Sequence, residues 1–138
     1  IRSIEEVESN STIFRLNLSN KNLIQIPEQV TELKNLAELV IYNCSISSFP
    51  IEFFKLKNLE ELCMSDNQLY HIPKQIELLS NLYKLDFRHN QLKDLPIEIK
   101  NLKNLMEIDL RGNAFNYEER RKIKDWFKGT ACIVLFDD

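Results

Sequence analysis

Few side chains in this sequence are equipped for chemistry. Thiols stand at Cys44, Cys63 and Cys132, and the only imidazoles are His71 and His89. A nucleophilic cysteine needs a base within hydrogen-bond reach, so Cys63 beside a histidine is the covalent-catalysis pairing to weigh. Glu38 and Glu61 could serve as a carboxylate pair, provided their surroundings push the two pKa values apart. Asp66 and His89, with Asn43 beyond them, could begin a metal site or a pH-sensitive ion pair. A glycine-rich phosphate cradle has only Gly112 and Gly129 to draw on. Which of these groups meet depends on the elements that carry them.

Those elements are announced by the prolines. Pro27, Pro50, Pro73 and Pro96 recur every 23 residues, and a fixed period of that length marks a repeat architecture. Apolar residues keep the same phase. Ile13, Leu36, Leu59, Leu82 and Leu105 form one column, Leu16, Leu39, Leu62, Leu85 and Ile108 the next, and Leu18, Ile41, Met64, Phe87 and Leu110 a third. Two apolar side chains two residues apart lie on one face of a strand and must bury it against a neighbour. After each proline the apolar spacing turns helical, so every unit reads as a strand, a turn, a short helix or 3₁₀ segment, and a return. No unit can cover its own apolar face, and stacking supplies the core. Asn67, Asn90 and Asn113 occupy one further phase, where an amide that both donates and accepts can satisfy a turn's backbone. Lys21 and Cys44 hold that phase in the first two units, and Lys21 is expected to point outward. A second asparagine column, Asn35, Asn58, Asn81 and Asn104, should tie the return turns.

The chain divides accordingly into a single domain over 1–138. Residues 1–12 form an N-terminal cap, with Ser3 and Glu6 as a capping box and Ile4 and Val7 facing inward. About five 23-residue units fill 13–115, and 116–138 form a C-terminal cap. In that cap a helix is expected over 117–128, with Ile123, Trp126 and Phe127 against the core and Gly129 as its stop. A strand over 132–136 should then close the sheet.

On this scaffold the chemistry mostly separates. Cys44 and Cys63 are four positions out of phase, roughly 13 Å apart and beyond the ~7 Å a disulfide spans, so free thiols are expected. Free thiols suit a reducing compartment, although buried ones persist outside it. His89 lies roughly 11 Å from Cys63, and His71 lies past the turn, which leaves no nucleophile–base pair. Glu38 and Glu61 are neighbours on an open sheet without an enclosing pocket. Asp66 and His89 should be side by side at the end of the face, too few ligands for a closed metal site. No enzyme, cofactor or metal is expected. A net charge of −3 gives no general pull toward nucleic acid, and 43% hydrophobic residues exclude a disordered chain. The six-residue apolar run 131–136 is far short of the roughly 20 needed to cross a bilayer, so no membrane insertion is expected. From Ile1 onward no basic-then-apolar leader is visible, which leaves export open.

Written out, Leu82-x-x-Leu85-x-Phe87-x-x-Asn90-x-Leu92 resembles the leucine-rich-repeat pattern. The run Leu95-Pro96-Ile97-Glu98-Ile99-Lys100-Asn101-Leu102-Lys103-Asn104-Leu105 is similar to the wording of bacterial 23-residue leucine-rich-repeat proteins, the leptospiral set above all. Glu118-Glu119-Arg120-Arg121-Lys122-Ile123 and Cys132-Ile133-Val134-Leu135-Phe136 resemble the helix and strand that end that set. Lys100, where a Gly is common, and Ile51-Glu52-Phe53-Phe54-Lys55 depart from the pattern. The resemblance implies an α/β leucine-rich-repeat solenoid: a right-handed arc with a parallel concave sheet, short helical or 3₁₀ segments on the convex side and a helix–strand cap. It also implies a secreted or surface-associated bacterial interaction protein, with host proteins among its candidate partners; a cytoplasmic location stays open.

Alternation along each strand sends the residues flanking the buried positions to the concave face. Val40, Tyr42 and Cys63 should form an apolar patch there, beside a charged strip of Asp86, Arg88, Asp109 and Arg111. An aromatic with arginine nearby has the make-up of a protein-interface anchor, so a protein partner on this face is the first expectation. The plainer alternative is that Asp86 with Arg88, and Asp109 with Arg111, merely neutralise one another on a solvated sheet. On the convex side Ile51, Phe54, Leu78 and Ile97 replace polar residues of companion units and are expected to be exposed, a patch suited to self-association. A glycan-binding face is a third reading, and a monomer or weak homo-oligomer is expected.

Overall fold

The computed structural model describes residues 12–138. The expected capping box of Ser3 and Glu6, with Ile4 and Val7, falls outside the described residues. Six short strands, β1 (Arg15–Asn17), β2 (Glu38–Val40), β3 (Glu61–Cys63), β4 (Lys84–Asp86), β5 (Glu107–Asp109) and β6 (Ile133–Leu135), form one sheet in the order of the chain. All neighbours are parallel, and Leu16, Leu39, Leu62, Leu85, Ile108 and Val134 stand in one row. A register shift of one residue would turn that row toward solvent, so the apolar period locks the coils in phase.

Each return carries a five-residue 3₁₀ segment: η1 (Glu28–Glu32), η2 (Ile51–Lys55), η3 (Lys74–Leu78) and η4 (Ile97–Asn101). The prolines sit just before these segments as caps, with φ between −59° and −68° and ψ between 138° and 150°. Their ring fixes φ near the required value, and their extended ψ makes them the corner between strand side and return. At one shared position per segment Val30, Phe53, Ile76 and Ile99 continue the core, and η2 adds Phe54.

The asparagines close the turns by hydrogen bonding from coil to coil. Asn90 Nδ2 donates to the carbonyls of Met64 (3.0 Å), Phe87 (3.1 Å) and Arg88 (3.2 Å), while its Oδ1 accepts from Leu69 N (2.9 Å). Asn67 repeats this with Ile41, Met64, Ser65 and Ile46, and Asn113 with Phe87, Leu110, Arg111 and Leu92. Cys44 substitutes weakly, its Sγ reaching Leu18 O and Tyr42 O at 3.8 Å each. A thiol has no amide oxygen to offer the coil before it. Lys21 is exposed. On the return side Asn58, Asn81 and Asn104 donate to Lys34 O, Lys57 O and Ser80 O, each one coil back.

A second ladder was hidden in the sequence. Asn20, Asn43, Asp66, His89 and Gly112, spaced 23 apart, all have φ between 54° and 73°. That left-handed turn ends the strand side of every coil, and Asn, Asp and Gly are the types that adopt it at least cost. At Gly112 the need is double, because a Cβ there would lie 2.1 Å from His89 Cδ2.

At the far end α1 (Tyr117–Trp126) begins at Asn116, whose Oδ1 accepts from Glu119 N at 2.9 Å. It stops two residues short of the expected 128. Phe127 has already left helical ψ, and Gly129 at φ 79° completes the exit. Ile123 and Phe127 are buried, and Trp126 packs half-buried against the core. Replacing Asn90 by Ala should lower stability by about 2–4 kcal/mol, since buried backbone groups on two coils lose partners worth about 1–3 kcal/mol each. Cys44→Asn should raise it by about 0.5–1.5 kcal/mol by extending the ladder one coil. Urea midpoints at unchanged slope measure both.

Candidate interaction surface on the sheet face

Three rows of side chains cover the outward sheet face. The first positions of the strands give Arg15, Glu38, Glu61, Lys84 and Glu107; the third positions give Asn17, Val40, Cys63, Asp86 and Asp109. Just beyond the strands come Ser19, Tyr42, Ser65, Arg88 and Arg111. In-register pairing makes Val40 and Cys63 direct neighbours, and Cys63 and Asp86 likewise. Val40 and Cys63 are half-buried and Tyr42 is 40% exposed. Between coils two and three lies a shallow depression of about 190 Å³ lined by Val40, Cys63, Glu38, Glu61, Lys84 and Asp86 over buried Leu39 and Leu62.

The charged strip is wired internally. Arg88 clasps Asp86 of its own coil through Nε (3.0 Å) and Nη2 (2.7 Å), and Arg111 clasps Asp109 at 2.9 and 2.6 Å. Arg88 also reaches Asp109 at 3.5 Å, linking the two forks. Burial alone would push the Asp86 carboxyl up, but the Arg88 hydrogen bonds outweigh it and hold Asp86 below the usual carboxylate range. Arg88 and Arg111 are correspondingly held above the ordinary arginine value, chiefly by hydrogen bonds to Asp86 and Asp109. The two guanidiniums stay about half-exposed while their carboxylates are largely covered.

The thiols are free and mutually separate. Cys63 Sγ lies 3.6 Å from Ser65 Oγ and donates to Asp86 Oδ2 at 3.6 Å, and burial pushes it up; no histidine reaches it. Burial, then the Glu107 charge, pushes Cys132 up to about 11. Asp66 and His89 do meet, Oδ1 to Nδ1 at 3.1 Å, on an exposed rim. Among the described residues no group of three or more His, Cys, Asp or Glu is placed to hold a metal.

On the convex side Phe54 corrects the expectation. It is 2% exposed, turned inward against Phe49 and Phe53 with ring centroids at 5.8 and 5.6 Å. Consecutive phenylalanines in η2 give this coil an aromatic cluster that the 23-residue pattern alone did not foretell. Ile51, Leu78 and Ile97 are exposed, at 59%, 51% and 49%. Exposed Lys74 stands between Ile51 and Ile97 in their row, so those two are not direct neighbours in it. Sequence reasoning also missed Tyr83, whose hydroxyl donates to Glu61. The signal was there: Phe14, Tyr83 and Met106, all exposed, share a phase that the apolar columns leave unused.

With the coil geometry established, comparison with known proteins is direct. The sequence model described as Leucine Rich Repeat matches residues 81–102, and a Leptospira interrogans leucine-rich-repeat protein aligns over 99% of this chain at 31% identity and TM-score 0.77. The chain belongs to the leucine-rich-repeat proteins. This leucine-rich-repeat chain spans 40% of the leptospiral protein's length. It covers 53% of internalin C2 from Listeria monocytogenes, which shares its fold at 22% identity and TM-score 0.77 over 92% of this chain. The plant peptide hormone receptor RGFR1, solved in complex with RGF2, matches 75% of this chain and 17% of its own length at 34% identity and TM-score 0.68. None of the curated proteins matches it. No helix among the described residues of this leucine-rich-repeat protein is long and apolar enough to cross a membrane.

Two outcomes follow from the electrostatics. The Asp86–Arg88 fork contributes stability that is full above the unfolded carboxylate value of about 3.9 and is lost as pH falls through the lower folded value. In Arg88→Ala the guanidinium bonds and charge are lost while the bonds from the residue 88 backbone N–H and from Cys63 remain, so the Asp86 midpoint followed by carboxyl ¹³C NMR should rise from its depressed position; one that does not move rejects the guanidinium as its cause. A variant keeping only Cys132 should react with a disulfide reagent at pH 8 about tenfold more slowly folded than in urea, because a rise from 9.0 to about 11 cuts the thiolate fraction about 100-fold while making the thiolate several-fold more nucleophilic.

Proposed function

We propose that this leucine-rich-repeat protein is a non-enzymatic interaction module that engages a partner protein on its concave sheet face. One observation carries the reading. Tyr42, Val40 and Cys63 present a half-exposed aromatic and apolar patch on hydrogen-bonded strands, with the guanidinium of Arg88 on the coil that follows Cys63 and that of Arg111 one coil further. Anchors held rigid before contact lose little entropy on binding. Because the arginines are tied to Asp86 and Asp109, they shape the rim, and the patch around Tyr42 supplies the anchor. RGFR1, a plant peptide hormone receptor solved in complex with RGF2, is a precedent for a protein that contains such coils and takes a partner. We further propose, on the family resemblance alone, that the module works at a bacterial surface or outside the cell, with host proteins as the partner class.

On the five coils of this chain an interface of the standard size, roughly 1,200–1,600 Å², fits. Tyr42→Ala with Val40→Ser should weaken partner capture at least tenfold, whereas Ile51→Ser with Ile97→Ser should leave it unchanged. Pull-downs from source-cell and host material with both variants measure this, and the reverse pattern would move the function to the convex side.

A further inference from the structure

The depression between coils two and three has a charge pattern that selects its guest. Its floor is Val40 and Cys63, with Leu39 and Leu62 buried beneath. Its walls bear three carboxylates, Glu38, Glu61 and Asp86, against one ammonium, Lys84. Asp86 is already clasped by Arg88, whereas among the described residues Glu38 is held only by the exposed Arg15, and Glu61 accepts from the Tyr83 hydroxyl with Lys84 as its partner on β4. Glu38 and Glu61 are direct cross-strand partners, an arrangement in which like charges repel and a cation between them is favoured. The surroundings register the same field: Tyr83, hydrogen bonded to Glu61, is held above the usual phenol value by that bond first and by the charges of Glu61, Glu60 and Glu38.

Arg15 shows how a basic side chain reads this wall. Its Nε stands 3.3 Å from Glu38 Oε2, yet its side chain is 83% exposed, so this is a loosely held ion pair that a better-placed cation displaces at little cost. A volume of about 190 Å³ is too small for a cofactor, whose sites start at roughly 300 Å³, and suits one long side chain. Arginine and lysine alone combine an apolar stem, to lie on Val40 and Cys63, with a cation to place between the two glutamates.

We propose that this depression is a subsite for one arginine or lysine side chain of an extended peptide segment of the partner, lying across the concave face. The inference rests on the concave-face reading and specifies the partner's chemistry. Within it Glu38 and Glu61 fix the cation, Val40 and Cys63 carry the stem, and Tyr42, two residues beyond Val40, offers its ring to the neighbouring segment.

Phage-displayed random linear dodecapeptides, panned on the intact chain, test it. Selected peptides should be enriched in Arg or Lys and shift the amide resonances of Val40, Leu62 and Cys63. Their affinity should fall at least tenfold for Glu38→Gln/Glu61→Gln and stay within twofold for Glu107→Gln, a concave glutamate outside the depression. Val40→Arg, which puts a cation into the depression, should also block them and keeps the test decisive if the double variant folds poorly. Peptides that shift these amides but lack basic residues, or bind the double Gln variant equally well, overturn the subsite and leave the concave-face reading standing. Peptides that shift only convex amides, or a panning that yields none, overturn both.

Discussion

The structure depends on the requirement that every coil bury an apolar face it cannot cover alone. Leu16, Leu39, Leu62, Leu85 and Ile108 meet that requirement by standing in register, each roofed by the next. Tight turns follow, because a coil of 23 residues must reverse direction within a few residues at each corner. Such corners leave buried backbone groups without ladder partners, and Asn67, Asn90 and Asn113 take them up through bonds that also cross between coils. Packing and polar satisfaction therefore point along the same axis, and cohesion is carried from each coil to its neighbour.

The sheet face inherits this regularity. Since the central residue of each strand is committed to the core, the residues on either side are free to vary, and on this face they make the charge contacts between coils. Asp86 and Asp109 spend their charge on Arg88 and Arg111 of the same coil, which makes the C-terminal half a neutral, cross-linked strip. The N-terminal half is less self-satisfied. Val40, Cys63 and Tyr42 are apolar or aromatic, and Glu38 and Glu61 face each other across a parallel pair. The asymmetry is the ground on which coils two and three, rather than the arginines, are proposed as the recognising part.

Much of this was legible from residue types alone. The prolines gave the period, the leucines the buried row, the asparagines the turn ladder, and Asp66 with His89 the rim pair. The sequence reading was less complete where a side chain had more than one way to turn. Phe54 replaces polar residues of other coils and so reads as exposed, yet Phe49 and Phe53 draw it inward, because a third ring gains more from aromatic packing than from water. Tyr83 lies outside the apolar columns, and its role appears only when the sheet carries it to Glu61. The left-handed ladder was visible as Asn20, Asn43, Asp66, His89 and Gly112 at equal spacing, but their mixed chemistry concealed that a single backbone angle unites them.

Period, register and the buried row at the centre of each strand were thus fixed by the sequence, because a 23-residue repeat with its apolar columns in one phase admits a single in-phase stacking. The tertiary structure alone decided how outward groups were shared among neighbours: that each arginine folds back on its own aspartate, that Phe54 joins the core, and that an apolar hollow opens beneath Glu38 and Glu61. Those choices depend on rotamers and on contacts between coils, where several partners lie within reach of one side chain and only the assembled geometry selects among them.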